Sequence, residues 1–221
     1  IVKLIYSLGI LFLKVLIKMS KSNEYLEGTG ILDSEAIRLR NYQLEGVKEI
    51  LEKRRAILAD DMGLGKTGTA LTVRKILESR GENYKTLVVC PGSTISHWYR
   101  ESELWCPGDK TSIIQTSTYD DDLERARDSN ICIIPYSTLS TLGKDNSERL
   151  DQLRELGFNY GILDEAHNAK NPASIRSSSI RNLFHDTNYL SLLTGTPIPN
   201  SIVDICSLLN LVDSEAFPIT S

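Results

Sequence analysis

The run Ile57-Leu58-Ala59-Asp60-Asp61-Met62-Gly63-Leu64-Gly65-Lys66-Thr67 passes from apolar residues through a glycine-containing turn into a stretch that reads as a helix starting near Thr67. Strand, tight turn and helix in that order form the setting in which backbone N–H groups cradle a phosphate. Gly63 and Gly65 let the main chain approach phosphate oxygens with no Cβ in the way, and the following helix turns its positive end toward them. Lys66 is placed to reach β and γ phosphates, and the Thr67 hydroxyl to take a position on Mg²⁺. The commoner form of this loop begins on a glycine; here Asp60 stands in its place.

Outward from this loop the chain alternates. Short apolar, β-branched runs at residues 56–59, 86–90, 131–135, 160–163 and 189–193 are separated by longer segments of helical periodicity. Leu44, Val47, Ile50 and Leu51 recur at helical spacing within residues 41–54. Ser93 is expected to cap a helix over 94–104, Pro172 to lie in the first turn of a helix through Arg181, and residues 202–212 to form a last helix. Such alternation predicts an α/β fold, a parallel sheet sandwiched by helices, with function gathered at the carboxyl ends of the strands.

About a hundred residues past the loop, Tyr160-Gly161-Ile162-Leu163-Asp164-Glu165-Ala166-His167 sets two carboxylates just beyond a buried strand. Phosphoryl transfer to water uses both kinds of acid. Asp164 is suited to hold Mg²⁺ and Glu165 to orient and deprotonate the attacking water. An isolated Asp-Glu pair reads equally as a solvated strand end, and it is the phosphate loop that turns the reading toward catalysis.

The tetrad Asp164-Glu165-Ala166-His167 resembles the motif that names the DEAD/DEAH superfamily 2 helicases, and further segments resemble the Swi/Snf branch of that superfamily in the same order. Leu39-Arg40-Asn41-Tyr42-Gln43-Leu44-Glu45-Gly46-Val47 is similar to its adenine-recognising motif, and Gln43 offers the donor and acceptor that adenine's edge requires. The loop itself, Asp60, Asp61, Met62, Gly63, Leu64, Gly65, Lys66 and Thr67, resembles that branch's phosphate loop, which accounts for the missing first glycine. Val88-Val89-Cys90-Pro91 with Trp98, and Ile134-Pro135-Tyr136-Ser137-Thr138, resemble segments that face the DNA backbone in the family. Leu193-Thr194-Gly195-Thr196-Pro197-Ile198-Pro199-Asn200 resembles the motif that couples hydrolysis to movement, with Pro199 where glutamine is commoner.

The resemblance implies a RecA-like, P-loop NTPase lobe over residues 39–213, using ATP and Mg²⁺ and gripping double-stranded DNA by its phosphates. It also implies coupling roles for His167, Thr194 and Thr196. By themselves the two threonines serve equally as turn residues. Trp98 and Trp105, at helical spacing, read as core side chains rather than as platforms for bases.

Composition sets the outer bounds. The chain has 221 residues, 41% hydrophobic and 24% charged, enough for one sizeable core. A formal net charge of −4 provides no whole-molecule attraction to nucleic acid, so contact with DNA requires a local basic surface. Cys90, Cys106, Cys132 and Cys206 include no C-x-x-C pair, and His97, His167 and His185 do not join them at zinc-ligand spacing. Buried free thiols, and no structural metal, are therefore expected. Residues 1–18 are apolar but interrupted by Lys3, Lys14 and Lys18, and the uncharged run Leu4 to Leu13 is too short to span a bilayer. The natural protein is accordingly expected to begin at Met19, within an amino-terminal extension 1–38, with no membrane partner and a cytoplasmic or, in a eukaryote, nuclear location.

In the family, ATP lies between two RecA-like lobes, and the second supplies arginine fingers worth roughly 10³ to 10⁵ in rate. Residues 214–221 read as a tail toward such a lobe, whose motifs are not in the sequence. The expected function is ATP binding and, with a second lobe in the same or a separate chain, hydrolysis that drives translocation on DNA or remodelling of DNA–protein complexes. Two alternatives stand beside it: a strand-separating superfamily 2 helicase, and a catalytically incomplete nucleotide-binding fragment.

Overall fold

The computed structural model describes residues 39–80, 84–145, 147–195 and 202–217. The segment around Met19, Thr196 and residues 197–200 lie outside them. Among the described residues, β1 (Arg55–Leu58), β2 (Thr86–Cys90), β3 (Thr111–Ile113), β4 (Ile131–Pro135), β5 (Tyr160–Leu163) and β6 (Tyr189–Leu193) pair in parallel as one sheet, ordered β1-β6-β5-β2-β4-β3. The helices are α1 (Asn41–Lys53), α2 (Lys66–Ser79), α3 (Ile95–Trp105), α4 (Tyr119–Arg127), α5 (Tyr136–Asp145), α6 (Ser147–Arg154), α7 (Ile175–Phe184) and α8 (Ile202–Val212).

The apolar runs carry a hidden period of two. Leu87, Val89, Cys132, Ile134, Leu190 and Leu192 join one core cluster, with α4 through α8 packed over it. Val88, Cys90, Ile131, Ile133, Ile162 and Leu193 join a second, covered by α1, α2 and α3. Successive strand residues face opposite sides, and both faces are covered, so every residue of β2, β4, β5 and β6 is buried and the strands read as unbroken apolar runs.

Two cations, Arg55 half-buried and Arg74 buried, tie the outer elements down. The Arg55 guanidinium donates to the carbonyls of Thr187 (2.9 Å), Phe184 (3.0 Å) and Leu211 (3.0 Å), fastening β1 to the chain at the ends of α7 and α8, where a positive charge suits the helix dipoles. Arg74, on α2, pairs with Asp109 at 2.7 Å with both side chains buried, which holds α2 to the turn after α3.

Several expectations shift. The first strand starts at Arg55 and ends at Leu58 because Arg55 pairs with Leu190 in register, while Ala59 is exposed. Ser93 is not a cap: Gly92–Thr94 form a 3-10 turn, and α3 begins at Ile95 with Thr94 at its N-cap position. Pro172 precedes its helix, which begins at Ile175 and is capped by Ser174, whose hydroxyl accepts from the Ser177 N–H. β3 was not anticipated. It is a three-residue edge strand, and its polar Thr111 and Ser112 carry too little alternation to be read locally.

Candidate phosphate and metal site

β1, β6, β5, β2 and β4 end nearly level: Leu58 pairs with Leu193, Leu192 with Leu163, Leu163 with Val89, and Val89 with Ile134. β5 and β6, late in sequence, lie between β1 and β2. One strand, β6, therefore separates the loop after β1 from the acids after β5, a lateral distance of about 10 Å. A sheet of this order opens its ligand crevice at that edge.

The loop is built on two left-handed glycines, Gly63 at φ 82° and Gly65 at φ 73°. No atom lies within 4 Å of a Cβ at Gly63, so there only the backbone conformation calls for glycine. At Gly65 space is also short, since a Cβ would come 2.6 Å from Gln43 Nε2. Gly65 is the N-cap of α2, and the first N–H groups of a helix have no intrahelical acceptor and point at whatever lies beyond. Lys66 Nζ donates to the carbonyls of Asp60 (2.7 Å) and Asp61 (3.0 Å), so the ammonium is folded back over the mouth of its own loop. Thr67, in the first turn, is partly exposed.

α1 clamps this loop. The Tyr42 hydroxyl donates to the Leu64 carbonyl (3.2 Å) and Gln43 Nε2 to the Gly65 carbonyl (3.2 Å), while Gln43 Oε1 accepts from the Arg40 N–H (2.9 Å). The Gln43 amide nitrogen and oxygen thus each make one hydrogen bond to the chain's own backbone, which makes Gln43 a latch between α1 and the phosphate loop and leaves a second N–H and a second lone pair on the amide. From β6, the Thr194 N–H donates to the Leu58 carbonyl (3.0 Å), and Gly195 abuts Met62, whose Cγ would lie 2.8 Å from a Cβ there. Met62 is otherwise exposed.

The acid pair is more enclosed. The Asp164 N–H donates to the Val89 carbonyl (2.8 Å), Oδ1 accepts from the Glu165 N–H (3.1 Å), and Oδ2 accepts from Trp98 Nε1 (2.8 Å), with Thr94 Oγ1 at 3.4 Å. Burial pushes the Asp164 carboxyl above its ordinary range, and the charge of Glu165 adds to the rise against the pull of the Trp98 hydrogen bond. Glu165 has φ 48° and ψ 55°, a left-handed conformation that costs a side-chain-bearing residue of order 1 kcal/mol. The Asn168 side chain and main-chain N–H both hold the Glu165 carbonyl, each at 2.9 Å. His167 Nδ1 faces Glu165 Oε2 at 3.2 Å, off hydrogen-bond alignment, and neither of these buried atoms has a hydrogen bond among the described residues.

The Asp164 carboxylate, the orphaned Glu165 oxygen and the Thr67 hydroxyl are oxygen donors of the chemical kind that Mg²⁺ takes together with water, while among the described residues no group of three or more His, Cys, Asp or Glu side chains is gathered as a metal cage. Sequence reading missed Trp98, Thr94 and Tyr136 as site residues. Trp98 is in the core, as expected, yet its indole N–H is aimed at Asp164. The available signal was general: a buried tryptophan N–H needs a partner.

A family model described as SNF2-related domain matches residues 17–219. The chain belongs to this family. Relatives include the zebrafish (Danio rerio) SWI/SNF-related matrix-associated actin-dependent regulator of chromatin subfamily A containing DEAD/H box 1A, 35% identical over 191 residues, covering 82% of this chain and 19% of the relative. The human DEAD/H box 1 regulator of the same description is 35% identical over 202 residues, covering 87% of this chain and 19% of its own length. The Arabidopsis thaliana ISWI chromatin-remodeling complex ATPase CHR17 is 33% identical over 198 residues, covering 86% of this chain and 18% of that protein. This SNF2-related chain thus spans about a fifth of the length of the curated relatives it matches. Among solved structures it is similar to the Sulfolobus solfataricus SWI2/SNF2 ATPase core in complex with dsDNA, with a TM-score of 0.68 and 28% identity over 80% of this chain and 36% of that one. The sheet of the SNF2-related chain is therefore RecA-like. Among the described residues no helix is long and apolar enough to cross a membrane.

Proposed function

We propose that residues 39–213 form the first nucleotide-binding lobe of a DNA-driven ATPase, completed by a second RecA-like lobe in the same or another chain. One observation carries this reading: the loop bearing Lys66 and Thr67 and the pair Asp164–Glu165 share one sheet edge with a single strand between them. Two strand spacings put the two motifs about 10 Å apart laterally, side by side at the carboxyl ends of their strands.

In this reading Lys66 leaves the carbonyls of Asp60 and Asp61 to meet the β and γ phosphates, and the N–H groups at the start of α2 hold their oxygens. Residues 60–67 wrap the phosphates. Gln43 keeps the loop shaped, and reads adenine with the second N–H and second lone pair of its amide. Thr67 and Asp164 hold Mg²⁺, which when bound neutralises charge on the phosphates. Glu165 orients and deprotonates the attacking water, and His167, beside it, relays its state across the cleft together with Thr194 and Thr196. The partner in movement is double-stranded DNA, gripped by its phosphates without regard to sequence. The site of action is the cytoplasm, or the nucleus of a eukaryote.

The test is direct. The 221-residue chain binds ATP in the presence of Mg²⁺, and Lys66→Ala weakens that binding at least tenfold by calorimetry. Reconstituted with a second lobe, the protein hydrolyses ATP faster on adding duplex DNA, and Glu165→Gln abolishes turnover while leaving ATP bound. Tight ATP binding by the Lys66→Ala chain would remove the basis of the proposal.

A further inference from the structure

Asp164 is gripped from two neighbouring strands. Its carboxylate Oδ2 takes the hydrogen bond of Trp98 Nε1 at 2.8 Å, and its main-chain carbonyl takes that of the Tyr136 hydroxyl, also at 2.8 Å. Trp98 lies on α3, the helix after β2, and Tyr136 opens α5, immediately after β4. β5, β2 and β4 are consecutive in the sheet, so the chain leaving β2, its neighbour, and that leaving β4, one strand further on, both reach back to the end of β5. Both donors are rigid: Trp98 is 0% and Tyr136 3% exposed, and neither ring can swing away without opening a cavity in its core cluster.

Thr94 contributes less. Its hydroxyl carries one proton, and the Pro91 carbonyl at 3.0 Å is the nearer acceptor, with Asp164 Oδ2 at 3.4 Å. The indole N–H has no such alternative. A carboxylate at a strand end would otherwise turn about two side-chain bonds, whereas here a fully buried donor fixes one oxygen and the Glu165 N–H the other.

We infer that Trp98 and Tyr136 are positioning residues for Asp164, the first through its carboxylate and the second through its main chain. Together they orient the carboxylate toward the metal of the proposed ATPase site. The inference rests on that reading of the site. It implies that the segments after β2 and β4, whose sequence resembles the DNA-side motifs, each stand one hydrogen bond from Asp164, the first at its carboxylate and the second at its main-chain carbonyl.

The experiment uses the 221-residue chain. Trp98→Phe keeps a buried ring and deletes the N–H, and Tyr136→Phe deletes a single hydroxyl. ATP binding is measured by calorimetry across a Mg²⁺ titration and again in EDTA, with melting curves to check the fold. Trp98→Phe is expected to raise the Mg²⁺ concentration at half-saturation about tenfold, the effect of one lost hydrogen bond to a charged group, with affinity in EDTA unchanged. Tyr136→Phe is expected to act in the same sense by a smaller factor. Equal losses with and without Mg²⁺, or no change in either, would overturn the inference.

A spectroscopic arm does not depend on either variant folding well. In ¹H–¹⁵N spectra the Trp98 indole resonance is expected to move on adding Mg²⁺ and ATP and in Asp164→Asn, and a stationary resonance overturns the inference. Failure of the wild-type chain to bind ATP with Mg²⁺ is a different result. It refutes the proposed function itself.

Discussion

Replacing Gly65 by alanine isolates the latch between α1 and the phosphate loop. Two costs follow from the structure. At φ 73° and ψ 32° the left-handed backbone costs a residue with a Cβ about 1–2 kcal/mol. The new Cβ would also lie 2.6 Å from Gln43 Nε2, so the amide must leave and give up its hydrogen bonds to the Gly65 carbonyl and from the Arg40 N–H. Each is worth about 1 kcal/mol net, which brings the expected loss to about 3–4 kcal/mol. Gln43→Ala alone should cost about 2 kcal/mol, since it deletes the same two bonds. In the Gln43→Ala background nothing remains to collide with, and Gly65→Ala should then cost only the backbone strain, about 1–2 kcal/mol. The assay is a double-mutant cycle by urea denaturation. Additivity of the two substitutions within about 0.5 kcal/mol would refute the latch.

Arg55→Met, which keeps the stem and deletes the guanidinium, is expected to lower stability by about 3 kcal/mol in urea melts, because the carbonyls of Phe184, Thr187 and Leu211 lose a charged donor. Gly68→Ala should destabilise by about 1–3 kcal/mol, since its Cβ would collide with the Trp105 ring; a smaller side chain at 105 should recover most of that loss in the same assay. Burial pushes the Cys90 and Cys106 thiols from 9.0 to about 12. Between those values the folded thiols keep protons that unfolded ones release, so stability should fall as pH rises from 9 to 12, by about 1.4 kcal/mol per pH unit for each thiol. Cys90→Ala with Cys106→Ala should flatten that slope in unfolding measured against pH, and an unchanged slope would assign it to other groups.

The parts of this molecule that sequence alone determined are those whose physics is local. A glycine turn between an apolar strand and a helix, ending in Lys66 and Thr67, needs no distant partner to be recognised. The runs 86–90, 131–135, 160–163 and 189–193 became strands at those limits, because a strand covered on both faces is apolar throughout and its ends are marked by the first polar or turn residues. Weakly marked elements failed for the same reason. β3 has three residues and little pattern, and the start of α7 was set by the Ser174 hydroxyl rather than by Pro172.

Strand order was beyond local reading. Nothing in residues 160–165 says that β5 lies beside β2 rather than β4, yet that neighbourhood brings the Trp98 N–H to Asp164 and the Tyr136 hydroxyl to its carbonyl. Gln43 was legible as a residue with a donor and an acceptor, but which groups satisfy it depends on α1 lying against the loop 22 residues further on. Hydrogen bonds between distant segments follow from which elements pack together, and packing is decided by burying both faces of the whole sheet at once.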